Sequence, residues 1–280
     1  SMLTNDEKFD LVHFTQFNHP ILYNGKFVVT IHDLILHLWP PRPLWHPRTW
    51  AYRYTMWHAA HKAQKVIAPS QSTKHDIATM LHARSSKIII TPEAVEPGFQ
   101  PQYDTKRFAE LKRKFGLTKP FLFYMNAWRP HKGLPELVEA FLKVKERHDI
   151  QLLIAGKPDK SFPAVIAAVE AAKAKSSDII TPGFISDKDA ILLYSMAEAF
   201  VVPTHYEGFG IPPLEAMTCG CPIIVANNSS LPEVVGDAAL LYPTGDVNAL
   251  ADAMTKIVSD PKLRNELKQK GLAQAKKFSF

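Results

Sequence analysis

The sequence predicts an α/β protein built on parallel sheets, and three observations carry that prediction. From about Lys26 onward, short β-rich runs alternate with amphipathic segments of helical length, the pattern of strands joined by crossover helices. The stretch Pro92–Pro101, with three prolines and a glycine, interrupts the alternation without periodicity of its own and reads as a linker. Seven of the 12 glycines fall between Gly156 and Gly245, in the loops that would follow strands.

Before the linker the predicted strands are Phe27–Ile31, Lys65–Ala68 and Lys87–Thr91, with helices over Arg48–Ala63 and Ser72–Leu81. After it come strands at Phe121–Met125, Gln151–Ala155, Asp178–Thr181, Ala199–Val202, Pro222–Val225 and Ala239–Leu241. The accompanying helices are Thr105–Phe115, Leu134–Arg147, Pro163–Ala174, Asp187–Ala197, Pro213–Thr218, Val247–Val258 and Pro261–Lys276. Six rounds of strand and helix suffice for a self-contained doubly wound sheet, so residues 97–280 form one expected domain. Residues 1–96 supply only about three strands and a single glycine, Gly25, and are expected to be an incomplete first domain, shortened in this chain or in evolution. Ser1-Met2 resembles the remnant of a removed tag and is set aside.

Composition narrows the class. Apolar residues make up 46% and charged residues 21%, ordinary for a globular protein. No run approaches the roughly 18 apolar residues a membrane span needs. The net charge of +6 favours anionic partners, such as phosphorylated substrates, nucleic acid or an anionic membrane face, against the alternative of a solvated basic surface. Cys219 and Cys221 flank Gly220, too tight for an ordinary disulfide and too few for a zinc site, which fits reduced thiols and a cytoplasmic location.

The run His205–Met217 carries the most chemistry. It follows an apolar strand and precedes a short helix; Gly208 and Gly210 let backbone amides approach a ligand, and Pro212 or Pro213 suits a first helical turn. A helix N-terminus is an anion site, here for a diphosphate. Glu207 and Glu215 bracket the turn, and a carboxylate can receive two vicinal hydroxyls of a ribose or hexose. The structural alternative is a strand-loop-helix corner whose acid complements the helix dipole.

This Glu207…Glu215 run resembles the Glu-x7-Glu signature of the retaining glycosyltransferases called glycosyl transferase group 1, or family four. Tyr124–Gly133 is similar to that family's strand and basic loop, Ile154-Ala155-Gly156 to its next strand end, and Pro182–Ser186 to its base-binding loop. Ala216–Pro222 and Leu231–Gly236 agree in the same order, and the likeness spans roughly residues 26–278. The resemblance implies a GT-B fold of two Rossmann-like domains and hexose transfer from a nucleoside-diphosphate sugar to a saccharide or lipid-linked acceptor. It implies no cofactor and no metal, because side-chain cations take the metal's role.

Residue by residue, it implies that Arg129 and Lys132 neutralise the leaving diphosphate and Glu207 contacts the transferred sugar. The amides of Gly208, Phe209, Gly210 and Ile211 would bind sugar and phosphate, Glu215 the ribose, and the backbone at Gly183, Phe184 and Ile185 the base. His32, at a strand's C-terminal end, resembles the family histidine reaching donor and acceptor, with Asp33 either orienting it or capping the next turn; His13 and His19 are weaker candidates. The family commonly has Gly-Arg where this chain has Asn126-Ala127, so either Arg129 substitutes from a shifted position or Lys132 acts with less help. Likeness to bacterial mannosyltransferases favours GDP-mannose as donor over UDP-sugars. The alternatives are a nucleotide-sugar-binding protein without transferase activity and a nucleotide-sugar epimerase.

Other motifs read as structural. Asp187-Lys188-Asp189 matches a metal motif of another glycosyltransferase fold, but Ser186-Asp187 precedes a helical pattern and fits a cap. His58 and His61 lie one helical turn apart with no third ligand evident. Residues 45–64, with Trp50, Tyr52, Tyr54 and Trp57 beside Arg48, Arg53 and Lys62, read either as a packed helix with a basic exposed side or as a helix lying on an acidic membrane, peripheral at the inner face. No motif supports nucleic-acid binding.

Overall fold

A computed structural model describes residues 9–278, so Ser1-Met2 lie outside the described residues. The chain divides into two units, Ser1–Glu93 with Glu207–Phe209, and Ala94–Tyr206 with Gly210–Phe280.

In the first unit four strands, β1 (Val12–Phe14), β2 (Phe27–Thr30), β3 (Lys65–Ala68) and β4 (Ile88–Ile90), form a parallel sheet in that order. The helices are α1 (Ile35–Leu38), α2 (Pro47–Lys62) and α3 (Gln71–Met80). Apolar side chains from the sheet, among them Phe27, Val29 and Val66, pack with Met56, Ala59 and Ile77 of α2 and α3 into one core. Strand β1 is one more than the sequence predicts. It is three residues long with a polar centre, His13, whose Nε2 lies 2.9 Å from the Thr30 hydroxyl on β2, so it has no hydrophobic run to announce it.

Helix α2 packs into this core and leaves Arg48 and Lys62 exposed. Its buried residues are Thr49, Met56, His58, Ala59 and Ala60, while Trp50, Tyr54 and Trp57 are exposed. Of the aromatic residues Trp50, Tyr52, Tyr54 and Trp57, only Tyr52 packs against the core.

The second unit holds β5 (Phe121–Met125), β6 (Gln151–Ala155), β7 (Ile179–Gly183), β8 (Ala199–Val202), β9 (Ile223–Ala226) and β10 (Ala239–Tyr242). Every strand pair is parallel and the order is β10-β9-β8-β5-β6-β7. Strands β6, β8 and β9 are buried at every position, as expected where helices cover both faces and no polar-apolar alternation is required. The helices are α4 (Thr105–Phe115), α5 (Leu134–Lys145), α6 (Pro163–Lys175), α7 (Asp187–Met196), α8 (Ile211–Thr218), α9 (Leu231–Val235), α10 (Val247–Ser259) and α11 (Pro261–Ala275). Phe141, Leu152, Ile154, Val201, Ile224 and Met254 belong to one continuous core. The short helices α1 and α9 escape sequence reading because four or five residues do not complete a periodic stripe.

Candidate active site

The strand order decides where the chemistry sits in the second unit. Counted within the unit, the sheet runs in the 3-2-1-4-5-6 sense, with its winding reversing between β5 and β8. Open α/β sheets bind ligands outside the carboxyl ends of the strands at that reversal. The segments leaving those ends are Asn126–Gly133 after β5 and Pro203–Tyr206 after β8, the two stretches singled out in the sequence.

These segments are interlocked. The His205 amide donates to the His131 carbonyl at 2.7 Å, and the Thr204 hydroxyl lies 2.9 Å from the same oxygen. Asn228 Nδ2 donates to the Thr204 carbonyl at 2.8 Å, and His205 Nε2 lies 2.9 Å from Glu136 in the first turn of α5. Gly133 adopts φ +67° and caps α5; a Cβ there would sit 1.9 Å from the Pro203 carbonyl oxygen. Only glycine lets the two backbones meet.

Lys132 ends the short turn Pro130–Lys132 and directly precedes Gly133. Arg129 starts that turn, with Nε 3.4 Å from Asp159 Oδ2. Hydrogen bonds from Ser161 hold the Asp159 carboxyl below the usual carboxylate range, with Arg129 a lesser cause. His131 is buried; burial first, then Lys132, Arg129 and His205, push its imidazole down to about 4. It is neutral near pH 7, so the loop's cationic charge comes from Arg129 and Lys132.

Helix α8 starts at Ile211, two residues earlier than the sequence predicts, on Gly210 at φ +111°. Because Pro212 and Pro213 carry no N–H, Ile211 is the only one of the first three helical residues with a backbone donor. The anion site expected there reduces to the Gly210 and Ile211 amides. Glu215 lies on this helix and is half-buried. Tyr194 donates its hydroxyl to Glu215 Oε2 at 3.1 Å. Burial raises the Glu215 carboxyl above its ordinary range; the Tyr194 bond opposes this, and Asp187 and Glu96 add to it.

At the end of β7, Gly183 accepts from the Gly156 amide at 2.8 Å. Phe184 is 72% exposed, with Lys157 Nζ 5.5 Å from its ring centre, whereas Ile185 is buried. The turn therefore anchors one side chain in the core and presents an aromatic face to solvent.

In the first unit, His32 follows β2. Its Nε2 lies 3.0 Å from the Thr15 carbonyl, which can only accept, so Nε2 carries a proton. Its Nδ1 lies 2.6 Å from Glu93 Oε1. The Glu93 hydrogen bond raises the His32 pKa, against a smaller opposing effect of burial. Asp33 Oδ1 accepts from the Ile35 amide at 2.8 Å and so caps the turn; the carboxylate that orients His32 is Glu93, from the stretch read as linker. Glu207, Gly208 and Phe209 belong to this unit. The Gly208 carbonyl accepts from Ser70 Oγ at 2.6 Å and Thr73 Oγ1 at 2.9 Å, and a Cβ on Gly208 would sit 2.1 Å from the His32 carbonyl oxygen.

The His32–Glu93 pair has a pH consequence. A histidine whose folded pKa is raised contributes stability that is fully present below its unfolded value near 6.5 and is lost as pH rises through the folded value. The difference in urea midpoint between the parent and Glu93→Gln should be larger at pH 6 than at pH 9, and NMR titration of His32 should fall back toward 6.5 in the variant. An equal difference at both pH values would remove the ion pair from the account.

Other candidates resolve into structural roles. Ser186 caps α7 by accepting from the Asp189 amide, and Asp189 pairs with Lys114 at 2.6 Å, so the acid pair does not converge. His58 Nδ1 lies 2.8 Å from His19 Nε2, while His61 Nδ1 donates to the Trp57 carbonyl, so the two helical histidines face different partners. Cys219 and Cys221 are buried free thiols; burial pushes Cys219 up to about 12 and Cys221 higher still.

The description "Glycosyl transferases group 1" matches residues 106–274, and "Glycosyltransferase Family 4" matches residues 2–99. The chain belongs to the glycosyl transferases group 1 family. Among relatives, the serotype-specific mannosyltransferase WbdA of Escherichia coli is 30% identical over 260 residues, 91% of this chain and 32% of the relative. O-antigen chain mannosyltransferase B of Escherichia coli is 29% identical over 260 residues, 91% of this chain and 67% of the relative. The group 1 chain thus spans about a third of the length of WbdA. Among solved structures, sucrose-phosphate synthase from Thermosynechococcus elongatus superposes with a TM-score of 0.80 at 21% identity, covering 96% of this chain and 69% of that one. Anabaena Alr3699/HepE in complex with UDP and glucose gives 0.81 at 17% identity, covering 96% and 74%. The group 1 chain has the GT-B type fold, with two parallel sheets. Its matched region contains the winding reversal, both cations and Glu215.

Proposed function

We propose that this group 1 chain transfers a hexose, mannose in the favoured reading, from a nucleoside-diphosphate sugar to a saccharide or lipid-linked acceptor, with retention at the anomeric carbon and without a metal. The observation that carries the proposal is the interlocked pair of segments at the β5/β8 reversal, which brings Arg129 and Lys132 to the end of the sheet where ligands bind. Cations held ahead of the reaction stabilise the negative charge that develops on a departing diphosphate without reorganising as it forms. Arg129 is paired with Asp159, so its guanidinium divides its field between that carboxylate and any phosphate.

Glu215, oriented by Tyr194, receives the ribose hydroxyls, and the turn Gly183–Ile185 holds the base, with Phe184 offering a stacking face. The Gly210 and Ile211 amides bind phosphate. Glu207 and the Gly208–Phe209 backbone orient the sugar. His32 has both ring nitrogens engaged and so acts as an oriented cation rather than as a base. No residue is assigned as a covalent nucleophile; attack from the leaving-group face is the proposed course. The mannosyltransferase names of WbdA and O-antigen chain mannosyltransferase B support mannose, and the HepE complex with UDP supports a nucleotide ligand on this fold.

The reading is tested by incubating the chain with GDP-mannose and a mannoside acceptor and assigning the product anomer by NMR. Retention gives an α-linked product from the α-configured donor. A β-linked product refutes retention, and nucleotide binding with no product in any acceptor supports a binding protein instead.

A further inference from the structure

The segment Leu34–His75 contains no Asp, Glu or Asn, yet holds Arg42, Arg48, Arg53, Lys62, Lys65 and Lys74. The other 27 Lys and Arg are balanced by the chain's 27 Asp and Glu, so the whole formal excess of +6 resides in this one segment. Four of the five tryptophans, Trp39, Trp45, Trp50 and Trp57, lie in it as well. The fold turns them outward: Trp45 is 77% exposed and Trp50 65%, with Leu44, Tyr54 and Trp57 also exposed.

The helical repeat explains the arrangement. Trp50, Tyr54, Trp57 and His61 fall at i, i+4, i+7 and i+11 along α2 and form one stripe, with Trp57 and His61 rings stacked at 4.5 Å. Met56, Ala59 and Ala60 on another face anchor the helix in the core. Beside the stripe a groove of about 300 Å³ is lined by Trp50, Arg53, Tyr54, Trp57, Met80 and Leu81. Within it Arg53 Nε is buried with no hydrogen-bond partner.

We propose that this face docks on an anionic lipid bilayer, its indole and tyrosine rings seated at headgroup depth and Arg53, in the groove beside them, set against lipid phosphates. Charge complementarity selects this occupant. Tryptophan with Lys and Arg, free of acids, is the composition of interfacial surfaces. A sugar-stacking platform would need carboxylates or amides to receive hydroxyls, and the stripe and its groove supply none. The inference goes beyond the proposed reaction and does not rest on it.

The test is flotation of the whole chain with vesicles of mixed phosphatidylcholine and phosphatidylglycerol, and with phosphatidylcholine alone. Binding should require the anionic lipid, weaken with salt, and shift tryptophan emission to the blue, since four of the five indoles lie in this segment. Trp45→Ala with Trp50→Ala should lower the bound fraction about tenfold, and Arg53→Gln about fivefold, with unchanged circular dichroism in the tryptophan variant because both indoles lie outside the core. Tyr103→Ala, exposed in the second unit, should leave binding intact. No binding to anionic vesicles, equal binding to both compositions, or binding indifferent to the Trp45 and Trp50 changes would each overturn the proposal. So would a blue shift produced by soluble mannan oligosaccharide and not by vesicles, which identifies a glycan platform.

Discussion

Lys132→Ala should lower turnover of the nucleotide sugar about 100- to 1,000-fold, the loss typical when one preorganised charge-stabilising group is removed. The size follows from position. Lys132 directly precedes Gly133, in the turn whose His131 carbonyl is bonded to the β8 segment, so its backbone is held in place ahead of the reaction. Arg129→Ala should lower turnover too, although Asp159 already takes part of that guanidinium's field. Steady-state kinetics of both variants check the assignment. Turnover untouched by Lys132→Ala would remove Lys132 from the diphosphate site.

The second large effect is on folding. Gly133→Ala should destabilise the chain by about 3–5 kcal/mol, combining a left-handed backbone forced on an L residue with an impossible contact. A matched control isolates the contact. Gly116 has nearly the same backbone, φ +69° against φ +67°, but an added Cβ there meets nothing within 4 Å. Gly116→Ala should therefore show only the backbone cost, about 1–2 kcal/mol. Thermal unfolding should place Gly133→Ala roughly 10 °C or more below the parent and Gly116→Ala a few degrees below. If the two variants melt together, the close approach of Gly133 to Pro203 is not what holds the two segments.

Much of the fold was legible because parallel, helix-covered strands are plain apolar runs: β5, β6 and β8 carry the bounds their sequence suggests. The strand order was not legible, since pairing between β5 and β8 joins segments more than 70 residues apart and leaves no local pattern. In the candidate site the sequence pointed to the acids and cations but not to what holds them. Glu93 lies in a stretch without periodicity, and Tyr194 reads as one more apolar-face residue of α7 until its hydroxyl is seen on Glu215. Asp159, in the turn after β6, has no motif at all. The exposure of the α2 aromatic stripe was not legible, because rings at helical spacing fit a core face or a surface equally and only the fold shows which side is buried.

Central to the proposed function is a nucleoside diphosphate held at the winding reversal, with its ribose on Glu215. Calorimetric titration of the chain and of Glu215→Gln with GDP, UDP and ADP tests this most directly. GDP should bind tightest to the parent, and the substitution should weaken it about 10- to 150-fold, the worth of hydrogen bonds to a charged acceptor, while the melting temperature holds or rises because a half-buried charge has been removed. Nucleotide affinity untouched by Glu215→Gln, or no affinity for any of the three, would contradict the assignment.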